Sequence, residues 1–184
     1  MRVITGTAKG VRLKTPEGLL TRPTTERVKE AIFSMIQFEV EGSRVLDLFA
    51  GTGQMGIEAL SRGAVSAVFV DERRDACRLV EENVKRARVQ DRASVVQSDY
   101  LSFLSRKRFV YDLIFLDPPY AEVFLENSLK KISEIDILSD RGIIICERPA
   151  EKQLDFEIPG LTRGKDYRYG KTWVTIFRKA KAEP

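Results

Sequence analysis

Histidine is absent from this chain of 184 residues, and cysteine occurs only twice. The absence of histidine excludes Ser-His-Asp and Cys-His catalysis and removes the commonest ligand of zinc. Cys77 falls in a helical pattern and Cys146 in an apolar strand-like run, so both are predicted to be reduced thiols that face the core. The sequence therefore predicts no metal site, no disulfide and no catalytic thiol.

Long apolar runs are also missing. No segment approaches the ~20 apolar residues that span a bilayer, and residues 1–6 lack the apolar core of a signal peptide. With 43% hydrophobic and 32% charged residues, the chain has the composition and length of one globular domain. We expect a cytoplasmic protein that does not enter a membrane.

Charge is distributed unevenly along the chain. Residues 1–29 hold seven Lys/Arg and two Asp/Glu, and residues 163–184 hold the same numbers. Residues 30–162 hold 17 Lys/Arg and 23 Asp/Glu, so an acidic middle separates two basic ends. Charged ends are often only solvated tails, but Tyr167, Tyr169 and Trp173 are typical of ordered structure. The pattern favours a surface that faces a polyanion.

The middle of the chain alternates strand-like and helical patterns. Strand-like runs cover residues 45–49, 67–70, 94–97, 111–116 and 142–146, and helical patterns cover residues 26–38, 57–60, 73–89, 100–104 and 123–132. This alternation predicts a parallel sheet with helices on both faces. Residues 167–178 predict a closing hairpin around Gly170. Residues 2–4 and 11–13 predict a small hairpin with a basic, glycine-bearing loop. We divide the chain into a β-hairpin extension, residues 1–21, and a main domain, residues 22–184.

A glycine-rich turn follows the first predicted strand. Gly51, Gly53 and Gly56 stand between the apolar strand and the helical residues 57–60. Glycine lets the main chain approach a ligand closely, and the free N–H groups at a helix start attract anionic or polar groups. The turn predicts a ligand cradle but does not identify the ligand, because a generic nucleotide-binding turn has the same pattern.

Carboxylates follow four of the predicted strands, at Asp47, Asp71, Asp99 and Asp117. Ligands of open α/β sheets bind at these strand ends. Asp71 comes 18 residues after Gly53, a spacing at which a carboxylate can accept hydrogen bonds from both ribose hydroxyls. A dinucleotide dehydrogenase could use the same device, so the first three acids leave the reaction open.

The most specific stretch is Asp117-Pro118-Pro119-Tyr120. Two prolines remove two N–H donors and stiffen the turn, so its carbonyl groups can point outward as acceptors beside the Asp117 carboxylate. Such acceptors can hold an exocyclic amino group, and Tyr120 offers a face on which an extruded base can stack. A proline-rich turn with an aromatic lid is the plain structural alternative. The turn favours amino-group chemistry on a base over hydride transfer.

Together these motifs resemble those of class I S-adenosylmethionine-dependent methyltransferases. The matching stretches are DLFAGTG at residues 47–53, Asp71, SD at residues 98–99 and DPPY at residues 117–120. The DPPY form is similar to enzymes that methylate amino groups conjugated to planar systems. RVITG at residues 2–6, RPTTERVKEAIF at residues 22–33 and GTGQMGIEALSRG at residues 51–63 resemble the bacterial RsmD family. Members of that family methylate the 2-amino group of a guanine in small-subunit (16S) ribosomal RNA.

The resemblance implies a Rossmann-like class I methyltransferase fold, α/β and mostly parallel, with helices on both faces and an antiparallel closing strand. It implies S-adenosylmethionine as cofactor. The expected cofactor-binding residues are Arg22, Thr24, Asp47, Ala50, Gly51, Thr52, Gly53, Asp71, Glu72, Ser98 and Asp99. The expected catalytic residues are Asp117, Pro118, Pro119 and Tyr120.

The basic ends supply the expected contacts to RNA. The residues assigned to this role are Arg2, Lys9, Arg12, Lys14, Arg168 and Lys171. The implied partner is ribosomal RNA or the small ribosomal subunit, bound by a monomer without a metal.

Two other functions fit part of the pattern. An amino-methyltransferase acting on adenine in DNA or RNA would share the four acids and lack only the match over residues 22–33. A binding module could keep the fold without catalysis, although every motif position is filled. A protein glutamine methyltransferase is disfavoured, because that group resembles Asn-Pro-Pro-Tyr and this chain has Asp117.

Overall fold

The computed structural model describes residues 1–16, 23–106, 109–118, 122–149 and 154–180, without the side chains of residues 23–25 and 122. Its centre is a seven-stranded sheet in the order β3-β2-β1-β4-β5-β7-β6. The strands are β1 (Arg44–Asp47), β2 (Ser66–Asp71), β3 (Ala93–Gln97), β4 (Tyr111–Leu116), β5 (Leu138–Pro149), β6 (Leu161–Tyr169) and β7 (Thr172–Lys179). The first five strands run parallel, and β7 pairs antiparallel with both β5 and β6. The predicted mostly parallel sheet with an antiparallel closing hairpin is confirmed.

Helices connect the parallel strands. They are α1 (Pro23–Met35), α2 (Gln54–Ser61), α3 (Arg74–Arg86), α4 (Tyr100–Ser105) and α5 (Glu122–Glu134), with a 3₁₀ turn at Gln90–Arg92. In α3 the buried positions recur at helical spacing, because Ala76, Val80 and Val84 all lie on the face that covers the sheet. No helix in the part of the chain that the structure describes has both the length and the apolar character to cross a membrane.

The two faces of the sheet carry separate apolar clusters. Val45, Leu113 and Ile143 belong to one cluster, and their neighbours Leu46 and Ile114 belong to the other. Successive strand residues point to opposite faces, so continuous apolar runs are what a sheet covered on both sides requires. Cys77 and Cys146 are both free and buried.

The N-terminal residues form an arch along α2 rather than two extended strands. Arg2 and Arg12 make a single antiparallel bridge, and Val3 exchanges backbone hydrogen bonds with Val11 and Gly10. Gly6 has φ +85°, and a Cβ added there would lie 1.8 Å from the carbonyl oxygen of Ser61. Val3, Ala8 and Leu13 are buried in the same cluster as α1 and α2, so we call residues 1–14 the N-terminal arch.

Several element boundaries differ from the sequence-based prediction. The closing hairpin starts at Leu161 instead of residue 167, and α1 covers Pro23–Met35 instead of residues 26–38. Most of β6 is exposed, and its pairing is irregular between Arg163 and Asp166. An exposed edge strand carries little apolar alternation, and this explains why the pattern missed its first half.

Candidate active site

A cavity of about 200 Å³ opens where the strand order reverses, between the C-terminal ends of β1 and β4. Open α/β sheets bind ligands at this switch point because the connecting loops diverge there. The residues that line the cavity are Met1, Asp47, Phe49, Ala50, Gly51, Thr52, Gln54, Met55, Phe115, Leu116, Asp117, Ile145 and Glu147. Five of the predicted site residues therefore share one cavity: Asp47, Ala50, Gly51, Thr52 and Asp117. Pro118 follows Asp117 in the chain and is half-buried.

The glycine turn forms one wall of the cavity. Gly51 and Gly53 have φ of +55° and +76°, and the amide of Gly53 donates to the carbonyl of Ala50 over 2.7 Å. A Cβ at Gly53 would meet the side chain of Val80 at 3.1 Å, so this position needs glycine for both conformation and space. Asn83 fixes the turn from behind by donating to the carbonyl of Thr52 over 2.9 Å. These contacts hold the backbone conformation of the turn.

Asp47 lies at the base of the cavity and is almost fully buried. Its carboxylate accepts one hydrogen bond, from the amide of Gly56 over 3.1 Å. Burial raises the pKa of Asp47 to about 8, with smaller contributions from the negative charges of Asp117 and Asp71. Because burial disfavours the ionised form, the group invites a cationic or hydrogen-donating ligand.

Two further carboxyl groups extend from the same face of the sheet. Asp47, Phe115 and Ile145 are neighbours in register on β1, β4 and β5. Asp117 and Glu147 each stand two residues farther along their strands, so both side chains point to the side that Asp47 faces. This placement puts three carboxyl groups around one cavity.

The surroundings of these groups shift their titration. Asp117 is exposed through the open mouth, but the protein around it removes enough hydration to raise its pKa to about 6. Burial raises the pKa of Glu147 well above its usual range, and the charges of Asp117 and Asp47 add to this. In the described residues no group of three carboxylates or cysteines converges as metal ligands would.

Sequence reasoning missed Glu147. It follows the apolar run of residues 142–146 at the end of the fifth strand, so the rule that identified the other strand-end acids also applies to it. Gln54 was missed as well: its Oε1 is buried in the cavity wall and has no hydrogen-bond partner among the described residues. An unpartnered buried acceptor indicates that a donor from a ligand belongs beside it.

Asp71 supports the glycine turn. Its Oδ2 accepts from the amide of Gly51 over 2.9 Å, and its Oδ1 accepts from the amide of Arg73 over 3.0 Å. Its carboxylate therefore holds the turn, and its free lone pairs remain the predicted acceptors for ribose. Glu72 is exposed beside it, and its carbonyl accepts from the side chain of Gln97.

Asp99 caps α4. Its Oδ1 accepts from the amide of Ser102 over 2.9 Å, and hydrogen bonds from Ser102 lower the pKa of Asp99. The Ser98 hydroxyl donates to the carbonyl of Asp99. Asp99 therefore has the ordinary role of an acid at a helix N-cap. Its role in adenine binding remains a prediction.

Aromatic rings continue from the cavity toward the surface. Phe49, which lines the cavity, packs against Tyr100 at 5.4 Å between centroids, and Tyr100 packs against Phe124 at 5.5 Å. The sequence analysis did not connect these three residues, because they follow different strands.

Four predicted site residues cannot be placed. Arg22, Pro119 and Tyr120 lie outside the described residues, and Thr24 belongs to α1 with its side chain outside the description. Their assigned roles remain predictions.

The basic residues assigned to RNA lie at two places, the turn between β6 and β7 and the N-terminal arch. Arg168 and Lys171 are exposed at the turn between β6 and β7, where Pro149 at the end of β5 pairs with Thr172. This turn is at the edge of the sheet on which the cavity opens. Arg2 is 3.5 Å from Glu26, and Lys14 is 2.5 Å from Glu82.

The tip of the N-terminal arch points away from the cavity. The amide of Thr7 donates to the carbonyl of Ser61 at the far end of α2, about 12 Å from the glycine turn. Lys9, at the tip, is thus on the opposite edge of the sheet, while Met1 contacts Thr52 and lines the cavity.

The family model Conserved hypothetical protein 95 matches residues 1–178. YlbH of Bacillus subtilis, a candidate rRNA methyltransferase, is 41% identical over 97% of this chain and 99% of its own length. Ribosomal RNA small subunit methyltransferase D of Escherichia coli K12 is 32% identical over 84% of this chain and 77% of its own length. The solved structure of yhhF from Escherichia coli, a candidate methyltransferase, superposes with a TM-score of 0.88, 30% identity and 97% coverage of both chains.

Proposed function

We propose that this chain, which belongs to the RsmD family of ribosomal RNA methyltransferases, methylates the exocyclic 2-amino group of one guanine in 16S rRNA with S-adenosylmethionine. One observation carries the proposal: the carboxyl group of Asp117, at the start of the Asp-Pro-Pro-Tyr turn, shares a cavity with the glycine turn. An acceptor for an amino group and a cradle for a nucleotide-like cofactor are thereby brought together at the switch point of the sheet.

The residues present fit the cofactor. Gly51 faces open space, so a ligand can approach its backbone, and Gln54 Oε1 lacks a donor that an ammonium group would supply. The Asp47 carboxyl group lies beside both. We assign these three residues to the aminoacyl part, Asp71 and Glu72 to the ribose, and Ser98 and Asp99 to the adenine. When bound, the cofactor supplies an electrophilic methyl group on a positively charged sulfur.

Asp117 and the carbonyl of Pro118 are assigned to the target amino group. The guanine amine is a weak nucleophile because its lone pair is conjugated with the ring. Acceptors that hold its hydrogens draw the nitrogen toward tetrahedral geometry and stabilise the positive charge that grows on it. Burial raises the pKa of Asp117, and the role assigned to it requires the ionised form.

The remaining predicted residues complete the substrate side. Tyr120 is assigned to stacking on the extruded base, which offsets part of the few kcal/mol that unstacking costs. Pro119 stiffens the turn, and Arg22 and Thr24 are assigned to the cofactor. Arg168 and Lys171 are exposed at the edge on which the cavity opens, a position suited to phosphate contacts. We further propose that the protein acts as a cytoplasmic monomer on rRNA or the small subunit.

Transfer of tritiated methyl groups tests the function. The protein is incubated with labelled S-adenosylmethionine and with naked 16S rRNA, double-stranded DNA or small subunits from a strain that lacks the corresponding gene. We expect label in RNA only, and mass spectrometry of its nucleosides should identify N2-methylguanosine. Labelled N6-methyladenosine would establish the adenine alternative. Binding of the cofactor without transfer to any substrate would favour a non-catalytic module.

A further inference from the structure

The proposed mechanism leaves the Glu147 carboxyl group without a role. The group lines the cavity, and within the described part of the chain it forms no hydrogen bond or ion pair. Its charged neighbours in the cavity, Asp117 and Asp47, have the same sign. Arg148 does not relieve this, because it extends from the other face of β5 onto Trp173 and Asp166. None of the described residues donates to this partly buried acid, so a ligand donor would compensate its desolvation.

The strand order indicates which ligand supplies that donor. The glycine turn follows β1, and the predicted ribose and adenine contacts follow β2 and β3. Glu147 lies in β5, and β4, which leads to Asp117, separates β5 from β1 and the strands beyond it. Along the sheet, Glu147 is thus farther from the predicted ribose and adenine contacts than Asp117 is, a position that suits a contact to the extruded base.

We infer that Glu147 accepts a hydrogen bond from the ring N1–H of the target guanine while Asp117 accepts from its 2-amino group. This inference rests on the proposed function and names the residue that selects the base. Strands that neighbour each other lie about 4.8 Å apart, so side chains starting from β4 and β5 can converge on adjacent atoms of one base edge.

The chemistry of the base edge explains the selection. Guanine presents two adjacent donors, N1–H and the 2-amino group, whereas N1 of adenine is an acceptor. An ionised carboxylate only accepts, so adenine would place two lone pairs against each other at an ionised Glu147, whereas a protonated Glu147 could donate to N1 of adenine. Burial disfavours the ionised form of Glu147, and the N1–H donor of guanine favours it. Guanine thus supplies what the site lacks.

The test compares two bases that share the reactive group. The nucleotide that the protein methylates is first located in the rRNA, and small subunits are then reconstituted with guanine or 2-aminopurine at that position. 2-Aminopurine keeps the 2-amino group but has no hydrogen on N1. The ratio of kcat/KM values for the two bases is measured with the wild type, Glu147→Gln and Glu147→Met. Glu157→Gln is the matched control, because Glu157 is exposed and does not line the cavity.

The wild type and Glu157→Gln should prefer guanine by roughly 10- to 100-fold, the range for hydrogen bonds to a charged group. Glutamine can present either its oxygen or its amide nitrogen, so the preference of Glu147→Gln should fall to within about threefold. Glu147→Met should lose activity on guanine and gain it on 2-aminopurine. Loss of O6 from 2-aminopurine affects every variant alike and cancels from this comparison.

An equal fall on both bases in Glu147→Gln would overturn the inference, because a structural or general electrostatic role predicts that result. An unchanged rate on guanine would also overturn it. If neither variant folds, the wild type alone still tests the inference. Equal kcat/KM values of the wild type on guanine and 2-aminopurine would exclude recognition of the N1–H group. Lack of methylation of guanine by the wild type would instead reject the proposed function itself.

Discussion

Among the described residues, acidic side chains are buried at Glu58 and, in the cavity, at Asp47. The two sites differ in how many hydrogen-bond and ion-pair partners the fold supplies to the acid. Glu58, in α2, is fully buried, and each of its oxygens accepts from a backbone amide, Ile4 at 2.8 Å and Thr5 at 3.0 Å. Lys29 and Arg62 add ion pairs at 3.1 and 2.9 Å. In the cavity, by contrast, Asp47 accepts one bond and Glu147 accepts none within the described residues.

The difference separates a structural acid from functional ones. The contacts of Glu58 join the N-terminal arch, α1 and α2, so the protein itself compensates the desolvation of the charge. The cavity acids keep unused lone pairs and shifted pKa values, which ligands rather than the fold must compensate. Burial alone therefore does not identify a functional acid. The number of partners that the fold supplies does.

The largest expected effect concerns Asp117. We expect Asp117→Ala to lower the methyl-transfer rate by at least about 10³-fold, because the growing charge on the amine loses its acceptor. Affinity for the cofactor, measured by calorimetry, should stay within a few-fold, and the melting temperature should not fall. A near wild-type rate in this variant would remove Asp117 from the mechanism.

Glu58 should show the reverse pattern. Glu58→Ala leaves Lys29 buried without its carboxylate, and breaking such a pair costs about 3–5 kcal/mol. Chemical denaturation should report this loss, with Glu81→Ala, an exposed position on α3, as the control. If stability stays within about 0.5 kcal/mol of wild type, the range for ordinary surface changes, the contrast between the two sites fails.

The pH dependence of stability sharpens the contrast. Burial raises the pKa of Asp47 from 3.8 to about 8, so the folded protein holds a proton that the unfolded chain releases. The stability from this group is complete below about pH 4 and is lost as the pH rises toward 8. We expect Asp47→Asn to become more stable relative to wild type across that range, by an amount on the order of a few kcal/mol.

Denaturation of the cofactor-free protein at pH 5 and pH 9 measures the change. Asp155→Asn, at an exposed position, should follow the wild type at both values. Parallel curves for Asp47→Asn and wild type would show that Asp47 does not hold this proton.

Asp71 combines a structural and a functional role, since it supports the glycine turn and is assigned to the ribose. We expect Asp71→Ala to weaken cofactor binding by roughly 10- to 100-fold, the effect of losing hydrogen bonds to a charged group. Calorimetry provides the measurement, with Asp155→Ala as control. Unchanged affinity would reject the assignment to ribose.

The smallest expected effect is on the salt dependence of RNA binding, and it concerns the basic residues of the N-terminal arch. Each lost phosphate contact lowers the slope of log affinity against log salt by about 0.7 to 0.9. We expect replacement of Arg2, Lys9, Arg12 and Lys14 by alanine to lower the slope for RNA binding by about one to two units. The Arg168→Ala/Lys171→Ala variant provides the comparison from the other basic site. No change in slope in the arch variant would exclude the arch from the RNA surface.

The sequence was informative wherever a residue's neighbours along the chain determine its role. Buried parallel strands are apolar runs, so β1, β2 and β4 were visible, as were the acids that follow them. Asp71 and Asp99 show the limit, because a strand-end acid has the same signature whether it holds a turn, caps a helix or binds a ligand.

Other features depend on contacts between distant segments. Glu58 stands in an apolar helical stretch with no signal that the arch, more than 50 residues earlier, supplies its partners. Gln54 is identified as a site residue only because its Oε1 has no hydrogen-bond partner among the described residues. Glu147 is identified only because its strand pairs with the strand that leads to Asp117. These relations are three-dimensional and could not be predicted from pattern alone.

The close approach of Gly6 to α2 limits how this protein can diverge. Lys9 and Arg12 on the arch are exposed, but any side chain at position 6 would collide with the backbone of Ser61. Related chains can therefore change the charge of the arch and keep its path along α2 only if this glycine persists. A homologue with another residue there must seat its N-terminus elsewhere.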